Sequence, residues 1–313
     1  MSMKKIWDEI TELKSSDTNV MKYIFKKGDA IAEAVLYRYG TYEKRTVMCI
    51  SVQSGCPMGC TFCGTGEFFG RDLTHEEILS QVQYMRNVND IDLLNVESLQ
   101  IMTMSMGEPL LNVNNVNSVF RAIHCVYPNA RLLVSSAAPK TKMWDSFMDM
   151  ASKIDTVGLQ FSVHASNDKE RNKIMPMKAK LSLEEIAYKG LEFFQRTGRK
   201  PFFNYCVTEE NNTEQHAMDL RLLFDPRVWE ATLSVVCEAD ESMDDSTRRQ
   251  EHTCTQFSAD LVYLGYNTRV FNPAGTDDIG GGCGQLWAVQ EYAKNNPQHF
   301  KQSTGNKIAC KNM

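Results

Sequence analysis

The alternation of strand-like and helix-like segments is the feature that most restricts the fold of this 313-residue chain. Short runs rich in β-branched residues alternate with amphipathic segments of helical period along most of the sequence. Two capping boxes, Thr74 with Glu77 and Ser182 with Glu185, mark the starts of two helices. Strands that alternate with helices predict an α/β fold with a parallel sheet. About six such strand–helix units predict a partial (β/α)6 barrel.

The predicted barrel starts at residue 45 and has a short lead-in before it. Residues 1–44 are predicted to be helical and then turn-like up to residue 30, with a strand at Glu33–Tyr37. Residues 45–313 are predicted to hold the barrel and a C-terminal extension. The predicted barrel strands are Arg45–Gln53, Leu99–Met104, Leu132–Ser136, Val157–Val163, Phe202–Val207, Thr232–Val236 and Thr268–Phe271. The predicted helices follow Thr74 and Ser182 and span Asn112–Val126, Met143–Ser152, Thr213–Leu223, Thr247–Leu264 and Gln285–Asn295.

Composition limits the compartment and the partners of the chain. The formal net charge of −5 disfavours nucleic-acid binding by bulk electrostatics, so any contact with RNA has to be local or shape-driven. The sequence shows neither a signal-peptide pattern nor an apolar run of membrane-spanning length. Ten cysteines in such a chain predict a reducing cytoplasm and thiols with catalytic or metal-binding roles.

Three closely spaced cysteines predict a metal centre. Cys56, Cys60 and Cys63 form a C-x3-C-x2-C pattern, with Phe62 directly before the last thiol. Three thiolates at this spacing can hold three irons of a cubane cluster and leave the fourth iron open to a substrate-like molecule. A structural zinc site normally has four ligands in two close pairs, and the remaining cysteines are too scattered to supply a second pair. The pattern therefore favours a redox enzyme over a zinc knuckle or three unrelated buried thiols.

Other candidate residues follow predicted strands. Gly107-Glu108-Pro109, Ser135-Ser136 and Ser162-Val163-His164 each come at the carboxyl end of a strand, the edge where barrels of this kind carry their chemistry. The glycine of the first segment allows the backbone to approach a ligand, and the carboxylate can accept hydrogen bonds from an ammonium group. By itself, Gly-Glu-Pro is equally compatible with a plain turn.

Two further cysteines stand out beside the metal-binding pattern. Cys49 lies seven residues before Cys56 on a predicted strand, where a buried structural thiol is the simpler interpretation. Cys283 lies in Gly280-Gly281-Gly282-Cys283-Gly284, and its glycine neighbours predict an accessible thiol suited to a nucleophile or a carrier.

Four stretches in a fixed order make the interpretation more specific. With Glu33 they cover the chain to about Leu286. The first two stretches are Arg45-Thr46-Val47-Met48-Cys49-Ile50-Ser51-Val52-Gln53-Ser54-Gly55-Cys56 and Met106-Gly107-Glu108-Pro109-Leu110-Leu111-Asn112. The other two are Ser162-Val163-His164-Ala165-Ser166-Asn167-Asp168, and Asp277-Asp278-Ile279 ahead of Cys283-Gly284-Gln285-Leu286. In these stretches the chain resembles the RlmN/Cfr family of radical S-adenosylmethionine (SAM) RNA adenosine methyltransferases. The resemblance covers most of the sequence.

The resemblance implies two cofactors, a [4Fe–4S] cluster and SAM. Cys56, Cys60 and Cys63 would hold the cluster, whose open iron binds the methionine part of SAM in this family. The resemblance further implies a flavodoxin or ferredoxin as the electron donor. It also implies that the enzyme is a monomer in the cytoplasm and acts away from membranes. By matching, the residues that would line SAM are Gly107, Glu108, Ser135 (or its neighbour Ser136), Ser162, Val163 and His164, with Phe62 near the adenine.

The resemblance also implies a methyl transfer that uses both further cysteines. One SAM methylates Cys283, a radical derived from a second SAM takes a hydrogen atom from that methyl group, and the carbon radical adds to an adenine of rRNA or tRNA, most simply at C2. Glu33 would remove the ring proton as the general base. Cys49 would then attack Cys283, which releases the methylated product and leaves a disulfide.

Departures from the family pattern leave the acceptor open. Glu33 stands close to residue 1, so the family's N-terminal accessory domain is expected to be missing or reduced to the lead-in. Val236-Cys237-Glu238-Ala239-Asp240 replaces a segment whose asparagine contacts SAM, and its acidic residues would repel a phosphate backbone. The alternatives are the same methyl-cysteine chemistry on a non-RNA or small acceptor, and a non-catalytic module with a structural metal.

The densest basic segment follows Ser162-Val163-His164. Because the whole chain is acidic, a local basic cluster is the simplest means of contact with RNA phosphates. The residues from which we expect such contact are Lys169, Arg171, Lys173, Lys178 and Lys180.

Overall fold

The computed structural model describes residues 6–234, 243–271, 279–280 and 288–302. Its strands are β1 (Glu9–Lys14), β2 (Val20–Lys27), β3 (Ala30–Arg38), β4 (Arg45–Cys49), β5 (Gln53–Gly55), β6 (Phe68–Asp72), β7 (Ser98–Thr103), β8 (Arg131–Ser136), β9 (Val157–Ser162), β10 (Phe202–Cys206), β11 (Glu230–Ser234), β12 (Thr268–Phe271) and β13 (Lys301–Gln302). Its helices are α1 (His75–Val88), α2 (Val113–Val126), α3 (Trp144–Lys153), α4 (Asp168–Ile174), α5 (Leu183–Thr197), α6 (Glu214–Leu223), α7 (Met243–Tyr263) and α8 (Ala288–Asn295).

Ten strands form one sheet in the order β1-β2-β3-β4-β7-β8-β9-β10-β11-β12. The pairs β1–β2, β2–β3 and β3–β4 are antiparallel, whereas every neighbouring pair from β4 to β12 is parallel. Parallel strands need crossover connections, and helices α1 to α7 supply them in six strand–helix units. The predicted partial (β/α)6 barrel is therefore confirmed.

The chain before the barrel adds three antiparallel strands to the sheet. The predicted helix within residues 1–30 is wrong over its described part, because β1 and β2 pair from Glu9 opposite Lys26 to Lys14 opposite Met21. Strand β2 is rich in β-branched and aromatic side chains, which fit a pleated, half-buried surface better than a helix. The predicted strand at Glu33–Tyr37 is confirmed as part of β3.

The predicted strand at Arg45–Gln53 consists of two strands in two different sheets. Strand β4 ends at Cys49, and β5 belongs to a small antiparallel sheet with β6 and β13. At the end of β5, Gly55 has a φ of +79°, and a Cβ atom there would lie 2.0 Å from the carbonyl oxygen of Phe68. Only glycine fits this close approach, which directs the chain into the cysteine loop.

The other predicted elements agree with the structure to within a few residues at each end. Both capping boxes are formed, at Thr74 and at Ser182. The helices cover the outer face of the sheet, where Phe161 of β9 packs between the rings of Trp144 and Trp229. Across the described ranges, the helices lack the length and apolar character needed to cross a membrane.

Helix α8 and Ile279 cover the inner face of the antiparallel strands. They share a buried apolar cluster there with Ile31 and Val35 of β3. The hydroxyl of Tyr292 also donates a 2.6 Å hydrogen bond to the carbonyl oxygen of Lys27. The end of the described chain therefore packs on its beginning.

Close packing between α5 and Trp229, the residue before β11, gives a test of the core. A Cβ atom at Gly190 would lie 1.9 Å from the ring of Trp229, so we expect Gly190→Ala to lower the free energy of unfolding by about 1–3 kcal/mol through overpacking. Gly28→Ala is the control, because a Cβ atom there meets nothing within 4 Å. Urea denaturation measures both variants, and equal stabilities would contradict this packing.

Candidate active site

The loop with the three cysteines is fastened to distant parts of the chain. The amide of Cys56 donates to the carbonyl oxygen of Phe68 at 2.9 Å, and the amide of Thr61 donates to that of Ile174 at 2.9 Å. These bonds tie the loop to β6 and to the end of α4. All three thiols are half-buried: Cys56, Cys60 and Cys63.

The three thiols lie close enough together to interact electrostatically. Desolvation raises the pKa of every one of them, and neighbouring thiols raise the pKa values of Cys56 and Cys60 further. Within the described ranges, no three His, Cys, Asp or Glu side chains converge tightly enough to hold one metal ion. In a cubane cluster each thiolate binds its own iron, so convergence on one ion is not required. Three soft, mutually close thiols from one loop fit an iron–sulfur cluster.

Apolar side chains line one side of the cysteine loop. Met58, Ala137 and Met175 are buried there and pack against Cys56 and Cys60. On this side the apolar wall keeps water away from the thiols, which strengthens the electrostatic interactions of a charged group there.

His164 connects Phe62 of the loop to the ends of β9 and β10. The two rings meet edge to face with centroids 5.0 Å apart, and Nδ1 of His164 accepts a 3.1 Å hydrogen bond from the amide of Cys206. Burial lowers the pKa of His164 to about 3, so the ring is neutral and its proton is on Nε2. Phe62 and His164 therefore provide a largely apolar surface with one N–H donor.

Gly107 and Glu108 pack against Gln53, shortly before the cysteine loop. Gly107 has a φ of +99°, and a Cβ atom there would lie 2.6 Å from the side chain of Gln53. The amide of Glu108 donates to Oε1 of Gln53 at 2.8 Å. The segment is therefore more than a plain turn, because it fixes the approach of the end of β7 to β5.

The carboxylate of Glu108 is buried and accepts three hydrogen bonds. The donors are the hydroxyl of Ser136 at 2.7 Å, the amide of Ala137 at 2.7 Å and the amide of Leu110 at 3.0 Å. Desolvation raises the pKa of Glu108 to about 7. A cationic ligand group beside this carboxylate would stabilise its charged form.

The alternation of side chains along β8 distinguishes Ser135 from Ser136. Ser136 belongs to the buried row and donates to Glu108, whereas Ser135 lies on the inner face and accepts a hydrogen bond from Gln160 at 3.2 Å. Ser162 lies on the same face as Gln160, two residues along β9. The side chain of Val163 lies in the core. Contact of these residues with SAM stays a prediction.

Glu33 of β3 is fully buried on the inner face. Its Oε2 lies 2.6 Å from Nζ of Lys22, and its Oε1 accepts a 2.9 Å hydrogen bond from the amide of Ala288 at the start of α8. Burial raises the pKa of Glu33, and the Lys22 ammonium opposes that rise. A desolvated carboxylate with one cationic partner can exchange a proton with a substrate more readily than a solvated one.

Cys49 is a diagonal neighbour of Glu33. It pairs with Val35 across β3 and β4, and Val35 is two residues from Glu33 on the same face. Within the described ranges no two cysteines form a disulfide, and Cys49 is half-buried.

Cys283 lies outside the described residues, but Gly280 and Ala288, which flank residues 281–287, are described. Nζ of Lys22 donates to the carbonyl oxygen of Gly280 at 3.3 Å, and Glu33 accepts from Ala288. One buried ion pair therefore contacts both described neighbours of residues 281–287. The predicted segments Val236–Asp240 and Asp277–Asp278 also lie outside the described residues.

Two members of the predicted basic segment are buried, so the prediction of phosphate contact is wrong for them. Arg171 is 0% exposed and Lys180 is 6% exposed. The guanidinium of Arg171 donates to the carbonyl oxygens of Ser162, Ala137 and Leu181. The exposed members are Lys169, Lys173 and Lys178.

Sequence reasoning missed Lys22 and Gln53 as parts of the site. Lys22 is a charged residue within the apolar run of β2, and such a residue signals a buried partner only once the segment is known to be a strand. Gln53 follows an apolar strand without any motif of its own. Its contact with Gly107 depends on the fold alone.

Comparison with known proteins agrees with this geometry. Residues 50–221 match the Radical SAM superfamily. The crystal structure of a radical SAM methyltransferase from Sphaerobacter thermophilus superimposes with a TM-score of 0.72 at 25% sequence identity, over 88% of this chain and 79% of that one. The fold and the cysteine loop thus define a radical SAM enzyme.

Proteins named as RlmN dual-specificity RNA methyltransferases are similar over most of their length. The probable enzyme of Clostridium tetani is 31% identical over 291 residues, which is 90% of this chain and 78% of the relative. The enzyme of Marinobacter nauticus is 30% identical over 294 residues, with coverage of 89% and 75%. The chain belongs to the RlmN family of radical SAM methyltransferases, as its motifs predict.

The close approach at Gly107 can be tested by SAM binding. We expect Gly107→Ala to weaken SAM affinity by about tenfold or more, because its methyl group would displace Gln53 and its backbone is in a left-handed conformation. Gly40→Ala is the control, since Gly40 has a similar φ of +78° but its nearest neighbour is the end of the Lys44 side chain at 3.7 Å. Anaerobic calorimetry measures both affinities, and an unchanged affinity for Gly107→Ala would count against this role.

Proposed function

We propose that this enzyme methylates C2 of an adenosine in RNA through an S-methylcysteine at Cys283 and a covalent protein–RNA adduct. The observation that carries the proposal is the buried pair of Lys22 and Glu33, which contacts both described neighbours of the segment with Cys283 and lies beside Cys49. The similar RlmN proteins are named as RNA methyltransferases, which supports RNA as the acceptor.

The cofactors are assigned to the carboxyl edge of the parallel strands. When bound, a [4Fe–4S] cluster supplies the electron that cleaves SAM reductively to a 5′-deoxyadenosyl radical. Cys56, Cys60 and Cys63 would hold that cluster. The residues assigned to SAM are Gly107, Glu108, Ser135, Ser162, Val163 and His164, with Phe62 near the adenine.

Four residues divide the remaining chemistry. Cys283 accepts a methyl group from one SAM, and the methylene radical formed from it adds to the adenine ring. The adduct radical loses one electron, for which the oxidised cluster would be the acceptor, and Glu33 takes the ring proton. Lys22 stabilises the ionised carboxylate before that step. The thiolate of Cys49 attacks the sulfur of Cys283, and the bond from that sulfur to the base-bound carbon breaks. The carbon keeps the electron pair and takes a proton to become the methyl group, and a Cys49–Cys283 disulfide forms.

The partners and the layout follow from the same proposal. The acceptor is an rRNA or a tRNA, and a flavodoxin or ferredoxin supplies electrons to a monomeric enzyme in the cytoplasm. In this proposal residues 1–44 form a lead-in, and residues 45–313 form the catalytic unit. With a net charge of −5, contact with RNA is confined to a local surface.

Removal of the carrier thiol tests this mechanism. We expect Cys283→Ala to abolish methyl transfer to RNA while reductive SAM cleavage continues, and Cys49→Ala to accumulate a protein–RNA adduct because nothing resolves it. Cys125→Ala, at an exposed position of α2, is the control and should keep full activity. Anaerobic incubation with methyl-labelled SAM and total RNA, followed by nucleoside mass spectrometry and denaturing gels, measures these outcomes. Methylated adenosine from Cys283→Ala would contradict the mechanism.

The same labelling experiment separates RNA from another acceptor. The acidic balance of the chain favours, as the second candidate, the same methyl-cysteine chemistry on a small or non-RNA molecule. Label on Cys283 of the unmodified enzyme, without label on any RNA, would establish that candidate.

The exposed lysines beside the site provide a test of RNA contact. We expect the combined substitutions Lys169→Glu, Lys173→Glu and Lys178→Glu to weaken RNA binding by about tenfold to a hundredfold at low salt, because phosphate contacts dominate affinity. The matched control reverses three exposed basic residues at the amino edge of the sheet: Arg86, Arg131 and Lys153. Filter binding compares the two triple variants. An equal loss of affinity in both would indicate a bulk-charge effect and refute local contact.

A further inference from the structure

Arg171 is a buried cation without an ion-paired carboxylate among the described residues. Its guanidinium donates only to main-chain carbonyl oxygens, those of Leu181 at 2.7 Å, Ala137 at 2.9 Å and Ser162 at 3.1 Å. Desolvation lowers the pKa of Arg171 to about 10, which leaves the group charged at neutral pH. A buried charge balanced only by carbonyl dipoles is costly, and a nearby anionic group would offset that cost.

Lys180 adds a second buried cation to the same region. Its Nζ donates to the carbonyl oxygen of Met177 at 3.0 Å. Arg171 and Lys180 both interact electrostatically with the thiol of Cys60. Asp168 interacts with both cations as well, but it is half-exposed and its oxygens accept from the amide of Leu183. The buried carboxylate of Glu108 also interacts with Cys60, so two buried cations and one buried carboxylate act on this thiol among the described residues.

The helix that carries Arg171 is fastened directly to the cysteine loop. The carbonyl oxygen of Ile174 accepts from the amide of Thr61 at 2.9 Å and from its hydroxyl at 3.1 Å. The next residue, Met175, packs against Cys60. Helix α4 thus holds its cation near the thiols through main-chain bonds and apolar packing.

We propose that Arg171 and Lys180 are the counter-charges of the thiolate-bound cluster and raise its reduction potential. Three thiolates make such a cluster anionic, and reduction adds one more negative charge. Buried cations stabilise the more negative state, most strongly where an apolar wall excludes water. The inference rests on the cluster assigned to Cys56, Cys60 and Cys63, and it gives Arg171 an electrostatic role in place of the phosphate contact predicted from sequence.

Potentiometric titration of the anaerobically reconstituted protein, read by electron paramagnetic resonance of the reduced cluster, tests the proposal. Arg171→Gln removes the charge and keeps hydrogen-bond donors. We expect it to lower the ratio of reduced to oxidised cluster about tenfold at a fixed ambient potential, which is a shift of about 59 mV to more negative potential for one electron. Arg171→Lys keeps the charge and should restore a potential near that of the unmodified protein. Lys180→Gln should shift the potential in the same direction by a smaller amount.

Arg199→Gln is the matched control. Arg199 also donates to main-chain carbonyl oxygens, those of Ala151 and Ile154, but it lies at the amino edge of the sheet. We expect this variant to lose thermal stability without a change of potential. If the role of Arg171 were purely structural, Arg171→Gln would likewise lose thermal stability without a change of potential.

The outcomes distinguish this inference from the proposed function. An unchanged potential in Arg171→Gln and in Lys180→Gln, at full iron and sulfide content, would overturn the inference. If Arg171→Gln does not fold, Lys180→Gln alone tests the inference. A potential equal to that of the unmodified protein would then overturn it. Zinc in place of iron in the unmodified protein would instead refute the cluster itself.

Discussion

The hydroxyl of Ser51 connects three parts of the chain on which the site depends. It donates to the carbonyl oxygen of Glu33 at 2.5 Å and accepts hydrogen bonds from the amides of Glu33 and Met106. The side chain of Gln81 in α1 bonds both main-chain groups of Ser51. Because Ser51 is buried, water cannot replace a lost partner. This residue aligns β3, the Gly107 turn and the start of the cysteine loop with one another.

Local patterns were sufficient for most elements and for the residues with recognisable chemistry. The capping boxes at Thr74 and Ser182 depend on neighbours three residues apart, so they can be predicted without a fold. The spacing of Cys56, Cys60 and Cys63 is local in the same sense. Strand β2 was predicted wrongly even though its β-branched and aromatic side chains favour a strand, and only its pairing with β1 and β3 makes the assignment clear.

Charge in a sequence does not report exposure. Arg171 occurs among lysines that face solvent, yet its three carbonyl partners come from the loop after β8, the end of β9 and the residue before Ser182. Glu33 is a similar case, since Lys22 and Ala288 lie 11 residues before it and 255 residues after it. In both cases the partners are brought together by the sheet, so their role follows only from the fold.

The packing of α8 on β3 has a consequence for synthesis of the chain. The hydroxyl of Tyr292 reaches Lys27 across 265 residues, and Gln290 reaches Gly64 across 226 residues. A ribosome releases the N-terminal strands and the cysteine loop long before it releases this helix. In every shorter nascent chain the inner face beside Cys49 and Glu33 lacks this cover. The order of the elements therefore leaves the face beside Cys49 and Glu33 uncovered until the end of translation.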